Sequence, residues 1–236
     1  MNGVDVLLIG GLERRPDGSV DPEATFSTST LVSARGKKIL VDTSASFVRA
    51  SLEDAFRDVK RCRPEDVEIV VLTHAHPDHT GNLALFPDAE VYVHAGEAPV
   101  PGAVIVEEDG EIVPGVELIH TPGHTAGSMT VLVRGVNTVA IAGDAIPLRA
   151  NYAEGKPPAL NIDLALAMES MRRIASLADV IIPGHDRPFA VRGDGQSLKP
   201  RGHGSTHGRR CAGSNPLRVP RLRGRHRARH TEGQVR

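Results

Sequence analysis

The chain has 236 residues, 40% of them apolar, and a formal net charge of −1. This length allows one large domain or two small ones, and no segment reaches the ~20 apolar residues that a membrane helix needs. Residues 1–192 carry 17 basic and 27 acidic side chains, and a body with a formal charge of −10 argues against binding of nucleic acid.

The N-terminal stretch MNGVDVLLIGGLERR lacks the basic start of a secretory signal and has a short apolar run that favours a strand. The two cysteines, Cys62 and Cys211, form no CxxC motif. Both features predict a cytoplasmic protein with reduced thiols.

The first half of the body alternates strands with short helices. Strands are predicted at 4–9, 29–34, 38–41 and 68–72. Before the last of these, a helix is predicted with Ser51 as its cap and with Leu52 and Phe56 among its buried residues. The run EIVVL is apolar after its first residue, which is typical of a strand buried on both faces.

The second half repeats this scheme. Strands are predicted at 90–93, 103–106, 116–119, 129–133, 138–142 and 180–183. A long amphipathic helix is predicted at 161–178, with a buried stripe at Leu164, Met168, Met171, Ile174 and Leu177. Strand clusters with helices in each half indicate an α/β protein with two sheets and helices outside them.

The stretch THAHPDHTGN at 73–82 gathers three histidines and an aspartate directly after a buried strand. His74 and His76 alternate in an extended segment, so both side chains point to the same side. Pro77 favours the start of a helix, which places Asp78 and His79 in its first turn. The four side chains can therefore converge, and the spacing predicts a metal site rather than a polar loop.

Three further candidate ligands follow apolar strands beside a glycine or a turn. They are His124 in LIHTPGHTAGS, Asp144 in VAIAGDA and His185 in VIIPGHD. Of the seven histidines in residues 1–192, only His94 and His120 are left over, and we expect ordinary strand or surface positions for them. Imidazole and carboxylate donors without a thiolate suit Zn, Fe or Mn, and seven donors are too many for one ion. Two divalent ions are therefore predicted, with zinc favoured over iron and manganese.

The composition changes abruptly at Arg192. Residues 193–236 carry 11 basic and 2 acidic side chains and show no helical or strand period. Such a segment cannot bury enough apolar surface to offset its chain entropy. We therefore expect one domain at 1–192, followed by a basic, Gly/Arg-rich tail at 193–236. We expect this tail to be disordered or to result from translation out of frame. The alternative is an arm that binds nucleic acid.

The motifs HxHxDH, a later His after Gly, GD and a final GH together resemble the metallo-β-lactamase superfamily of metal-dependent hydrolases. The resemblance covers about 4–191 of the chain. It implies the family's αββα four-layer sandwich, in which two mixed β-sheets carry outer helices and the metals lie at one edge.

The family's ligand roles carry over by match to these motifs. The resemblance implies a first ion held by His74, His76 and His124, a second held by Asp78, His79 and His185, and a bridge between them at Asp144. Asp42 in LVDTS matches the aspartate that orients a ligand histidine. The glycine that usually follows in this motif is Ser44 here.

Within the family, THAHPDHTGNLALFP, TPGH and PGHDRPF are most similar to the group named after metallo-β-lactamase domain-containing protein 1, whose animal member is regarded as a ribonuclease. The expected reaction is hydrolysis of an ester, thioester or phosphodiester by a hydroxide that bridges two metal ions. Asp78 is the expected catalytic residue, because its carboxylate can orient that hydroxide and relay its proton.

The substrate is expected to be a small-molecule ester or thioester, or RNA. Three alternatives remain open: an endoribonuclease or phosphodiesterase like that group, a mononuclear iron dioxygenase, and a non-catalytic metal-binding module. Hydrolysis of β-lactams in the manner of resistance enzymes is not expected, because there is no export signal and because Asp144 stands where several such enzymes have cysteine.

Overall fold

The structure is a computed structural model, and it describes residues 2–60 and 62–191. The predicted tail at 193–236 lies outside the described residues, so the prediction for it stays a prediction. Within the described part, the strands form two six-stranded sheets, and consecutive strands are neighbours throughout each sheet.

The first sheet is built from the N-terminal half. Its strands are β1 (Gly3–Leu8), β2 (Ser29–Ala34), β3 (Lys37–Val41), β4 (Ile69–Val71), β5 (Glu90–His94) and β6 (Val104–Val106). Strands β1 to β3 are antiparallel, and β3 to β6 are parallel. Arg35 and Gly36 join β2 to β3 with positive φ at both residues, which matches the right-handed twist of the two strands.

The second sheet is built from the C-terminal half. Its strands are β7 (Gly110–Val113), β8 (Val116–His120), β9 (Met129–Val133), β10 (Val139–Gly143), β11 (Val180–Pro183) and β12 (Phe189–Ala190). The β10–β11 pair is parallel and the other pairs are antiparallel. Both sheets are therefore mixed.

The inner faces of the sheets pack on each other, and helices cover the outer faces. The helices on the outer faces are α1 (Arg49–Ala55), α3 (Arg149–Glu154) and α4 (Leu164–Leu177), and the short α2 (Pro77–Thr80) lies at the edge of the sandwich after β4. Leu52 of α1 packs on the first sheet, and Met171 of α4 packs on the second. The α/β four-layer sandwich is confirmed. None of the helices in the described ranges is long and apolar enough to cross a membrane.

Two local predictions are wrong. Helix α1 begins at Arg49, because a 3₁₀ turn at Ser46–Val48 runs directly into it, so Ser51 lies inside the helix and does not cap it. Leu164 is 61% exposed, since α4 turns Ala167 and Ser170 toward the protein in its first two turns. The prediction also missed β7, β12 and α3, which are too short to show a clear period.

We propose that residues 1–192 form the folded domain and that the tail does not join its core. Both sheets and the apolar clusters around them are built from residues before 192. Limited proteolysis of the full chain should therefore remove the tail and leave a stable fragment, as judged by mass spectrometry. Its unfolding temperature and metal content should match those of the intact chain, and loss of either on trimming would contradict the boundary.

Candidate metal centre

The predicted ligand residues all come from the ends of buried strands at one edge of the sandwich. After β4, the segment at His74 and His76 is extended, and Pro77 then starts α2 with Asp78 and His79 in its first turn. His124 lies in the loop between β8 and β9, while Asp144 and His185 follow β10 and β11. The structure therefore brings all seven predicted ligands to one place.

A first group consists of three histidines that face one another. His76 Nδ1 lies 3.0 Å from His74 Nε2 and 3.1 Å from His124 Nε2. His74 is fully buried, whereas His76 is partly open to the cleft above. Three ring nitrogens at these separations can act as ligands to a single ion.

A second group consists of Asp78, His79 and His185. Asp78 Oδ2 lies 3.8 Å from His79 Nε2 and 3.5 Å from His185 Nε2. Both histidines are buried, and the carboxylate is partly exposed. These donor atoms can hold another ion beside the first.

Asp144 lies between the two groups. Its Oδ1 is 3.1 Å from His185 Nε2 and 3.5 Å from His79 Nε2, so this oxygen faces the second group. Its Oδ2 is 3.5 Å from His124 Nε2 and faces the first group. One carboxylate thus presents an oxygen to each position, which is the arrangement that a bridging ligand requires.

Two buried atoms of this cluster fit a cation. His79 Nε2 and Asp144 Oδ1 have no hydrogen-bond partner in the described part of the chain, although both are shielded from solvent. Leaving a buried polar atom unpaired costs about 1–3 kcal/mol. Because both atoms point into the volume that the other donors surround, a divalent ion at this point satisfies them together.

Hydrogen bonds on the far side of the rings set which nitrogen faces the centre. His79 Nδ1 donates to Asp42 Oδ2 at 2.8 Å, His124 Nδ1 to the Leu160 carbonyl at 2.8 Å, and His185 Nδ1 to the Phe26 carbonyl at 2.9 Å. Each ring therefore keeps a proton on Nδ1 and turns Nε2 inward, and Nε2 is then the nitrogen that can bind a metal ion. The carbonyl partners were missed by the sequence analysis, since a backbone oxygen carries no residue signature.

Asp42 also anchors the start of the HxHxDH segment. Its carboxylate accepts hydrogen bonds from the Thr73 backbone N–H and hydroxyl, both at 2.8 Å. Asp42 and Ser44 both have φ of 59°, a region that glycine occupies without strain. At Ser44, the hydroxyl donates to the Ser27 carbonyl at 2.8 Å, and this bond helps to hold a conformation for which the family's motif uses glycine.

The charges around the cluster favour a positive charge among its donor atoms. Burial and the nearby His79 ring hold the pKa of His74 well below its usual value, and burial and His124 lower the pKa of His76. Burial opposes the charge of Asp144, but His185 and His79 hold the pKa of this carboxyl well below its usual range. His74 and His76 are therefore neutral beside an ionised carboxylate. Burial lowers the pKa of His79 and of His185, but nearby carboxylates, Asp42 and Asp144 for His79 and Asp144 for His185, outweigh burial and raise both pKa values.

A cleft of about 450 Å³ opens above the centre. His76, Asp78, His124, Asp144 and His185 contribute to its lining. Apolar side chains from other loops form much of the rest, including Leu12, Val20, Phe47, Leu148 and Leu160. The sequence analysis missed this contribution, because loop residues with no period do not reveal which of them meet in space.

Residues 22–102 and 95–185 match the family model described as the metallo-β-lactamase superfamily. The chain belongs to this superfamily. The metallo-β-lactamase domain-containing protein 1 of Xenopus laevis is 37% identical over 172 residues, 67% of this chain and 70% of that protein. The human protein of the same name is 35% identical over 199 residues, 81% of this chain and 72% of that protein.

Other metallo-β-lactamase superfamily proteins are more distant. An N-acyl homoserine lactonase of Bacillus sp. is 30% identical over 144 residues, 52% of this chain and 57% of that protein. A metallo-β-lactamase-like protein of Thermotoga maritima has a TM-score of 0.66 and 22% identity over 80% of this chain and 99% of its own. AidC, a dizinc quorum-quenching lactonase, has a TM-score of 0.55 and 18% identity over 64% of this chain and 67% of its own. These structures share the fold.

Replacement of Asp42 by asparagine should weaken metal binding by about 10- to 100-fold, because the amide cannot accept from the ring of His79 and from Thr73 as the carboxylate does. Competition with a chelating dye would measure the affinity. Asp66→Asn is a matched control, since Asp66 accepts a backbone N–H from Arg63 in an exposed turn away from the cluster. Equal affinities for the two variants would contradict the orienting role of Asp42.

Proposed function

We propose that this metallo-β-lactamase superfamily hydrolase uses two divalent ions to cleave the ester, lactone or thioester bond of a small molecule that has an apolar part. The observation that carries the proposal is the position of Asp144, whose two carboxylate oxygens face two separate groups of ligand atoms. This arrangement supports a binuclear centre at the base of a largely apolar cleft.

The ligand roles follow from the two groups. We propose that the first ion is held by His74, His76 and His124, that the second is held by Asp78, His79 and His185, and that Asp144 contacts both. Asp42 orients His79 through the 2.8 Å bond to its Nδ1. Zinc is the proposed metal, because imidazole and carboxylate donors without thiolate suit it, and because AidC is described as a dizinc lactonase.

When bound, the two ions supply an activated water molecule at neutral pH and polarise the substrate's carbonyl. Asp78 is the group that moves the proton in this proposal. It lines the cleft, and its side chain is 21% exposed, so a water molecule or substrate can reach the carboxylate. The carboxylate can accept a hydrogen bond from the attacking water, orient it toward the substrate and receive its proton.

The cleft favours a substrate with an apolar portion. Phe47 stands at its wall and is 52% exposed, with its ring edge-on to Phe26 at 6.1 Å between centroids. Leu160 is also exposed at the cleft, directly beside the histidine that its carbonyl anchors. A structure of AiiA from B. thuringiensis, which contains N-decanoyl-L-homoserine at its active site, has a TM-score of 0.63 with this chain. These features support an acyl ester, lactone or thioester.

Phosphodiester or RNA cleavage is the second candidate. It is favoured by the similarity to metallo-β-lactamase domain-containing protein 1, at 35–37% identity. It is disfavoured by the formal charge of −10 on residues 1–192 and by the 3% aromatic content, because single-stranded nucleic acids bind through basic grooves and stacking rings. The full set of ligand groups also disfavours a mononuclear dioxygenase and a non-catalytic module.

Elemental analysis of the fully loaded protein should give about two ions per chain, since seven donors exceed the four to six that one ion takes. The same sample should be assayed on carboxylic esters, lactones, thioesters, phosphodiesters and RNA. Turnover of the acyl substrates would support the proposal, whereas turnover of RNA alone would favour the second candidate. A stable ratio of about one metal ion per chain would favour the dioxygenase if the ion is iron and the protein consumes oxygen.

Asp78→Asn should lower turnover by roughly 100-fold or more, because the amide cannot take up the proton of the attacking water. The first ion should stay bound in this variant, since its three histidines are unchanged. His74→Ala should instead lose the first ion, because it deletes one of them. Metal content and turnover would be measured on both variants. Wild-type turnover by Asp78→Asn with both ions bound would exclude this mechanism.

A further inference from the structure

Glu97 lies between the two loops that carry the first group of histidines. Its Oε2 accepts a hydrogen bond from the backbone N–H of Ala75, the residue between His74 and His76, at 2.9 Å. Its Oε1 accepts from the backbone N–H of Gly127 at 3.1 Å and from the hydroxyl of Thr125. Thr125 directly follows His124, so one carboxylate is hydrogen-bonded both to the loop of His74 and His76 and to the loop of His124.

The two backbones approach each other closely beside this carboxylate. A Cβ atom added to Gly127 would lie 2.7 Å from the backbone nitrogen of Glu97. A Cβ atom added to Gly96 would lie 2.9 Å from the carbonyl carbon of Ala126. Both glycines therefore leave room for direct contact between the loops, and Glu97 is held at the centre of that contact.

Within residues 62–191, the two histidines outside the metal cluster support the same loops. His94 Nδ1 accepts a hydrogen bond from the Gly96 backbone N–H at 3.0 Å, and His120 Nε2 donates to the Ala126 carbonyl at 2.8 Å. Their rings stack with centroids 3.9 Å apart and an interplanar angle of 11°. His94 ends β5 of the first sheet and His120 ends β8 of the second, so the stacked pair joins the two sheets beside Glu97.

The first group of histidines depends on the relative position of these loops. His74 and His76 follow a strand of the first sheet, whereas His124 follows a strand of the second. The separation of 3.1 Å between His76 Nδ1 and His124 Nε2 is therefore set by contacts between the sheets. Glu97 makes such a contact, because its hydrogen bonds go to Ala75, next to His76, and to Thr125, next to His124.

We infer that Glu97 is a positioning residue for the first ion, an inference that rests on the proposed metal-dependent function. Through Ala75 it fixes the backbone between two ligands, and through Thr125 and Gly127 it fixes the loop of the third. Removal of the carboxylate leaves these donors without their acceptor and frees the two loops to separate. The three ring nitrogens then no longer match the geometry of one ion.

The test compares Glu97→Gln and Glu97→Ala with a matched control. Glutamine keeps the length of the side chain but offers one oxygen, so it cannot accept from both loops. Glu111→Gln is the control, because Glu111 accepts the Gly115 N–H at 2.6 Å in an exposed turn at the far edge of the second sheet. Zinc affinities by chelator competition, the visible spectrum of the Co²⁺ form and the unfolding temperature of the metal-free protein would be measured for each variant.

Both Glu97 variants should bind the first ion about 10- to 100-fold more weakly than the control does. Their Co²⁺ spectra should change, kcat should fall more than KM rises, and the second ion should be affected less. Unchanged affinity and spectrum would overturn the inference, as would an equal loss of both ions together with a lower unfolding temperature of the metal-free protein. Failure of the wild-type protein to bind metal would overturn the proposed function itself.

Discussion

The burial of two sheets against each other is the constraint on which the rest of this structure depends. Val32, Val71, Leu118 and Val131 belong to the apolar cluster between the inner faces. Because the sheets can exclude water only in this face-to-face arrangement, their strand ends are brought to a common edge. Loops that are far apart in the sequence meet there, and the polar residues that they carry are buried together.

The burial of polar groups at such an edge is unfavourable unless they form hydrogen bonds or ion pairs. Asp42 shows how the cost is offset, since its buried carboxylate accepts from the backbone and hydroxyl of one residue and from the ring of His79. The inward-facing atoms of His79 and Asp144 have no such hydrogen bond in the described part of the chain. The same packing that supports the fold therefore brings unpaired ligand atoms together at one point, where a bound cation would satisfy them.

The sequence was sufficient to predict the fold class and the residues that meet at this edge, because both depend on strong local patterns. Apolar runs such as those at 68–72 and 180–183 mark buried strands. Polar residues that directly follow such strands are therefore expected at the edge of the sheets. Helix boundaries and faces were less predictable. Leu164 fits a helical period but is exposed in the first turn of α4. Ser51 is a suitable cap residue, but α1 begins earlier, at the end of a 3₁₀ turn.

The supporting residues of the centre could not be predicted for a different reason. The carbonyls of Phe26 and Leu160 act through backbone atoms that every residue has. Glu97 has an informative side chain, yet its partners lie 22 to 30 positions away in the chain. Its position between the two loops follows from the packing of the sheets, and neither the spacing of motifs nor the composition of the sequence indicates it.

Gly184 shows that the geometry of the cluster also depends on a residue that offers no ligand atom. A Cβ atom at this position would lie 2.1 Å from Asp144 Oδ1, the oxygen that faces the second group. Any other amino acid would place a carbon atom where the shared carboxylate now lies. In the proposed two-ion centre, replacement of Gly184 by alanine would therefore displace the carboxylate of Asp144 while leaving all seven proposed ligands in the sequence.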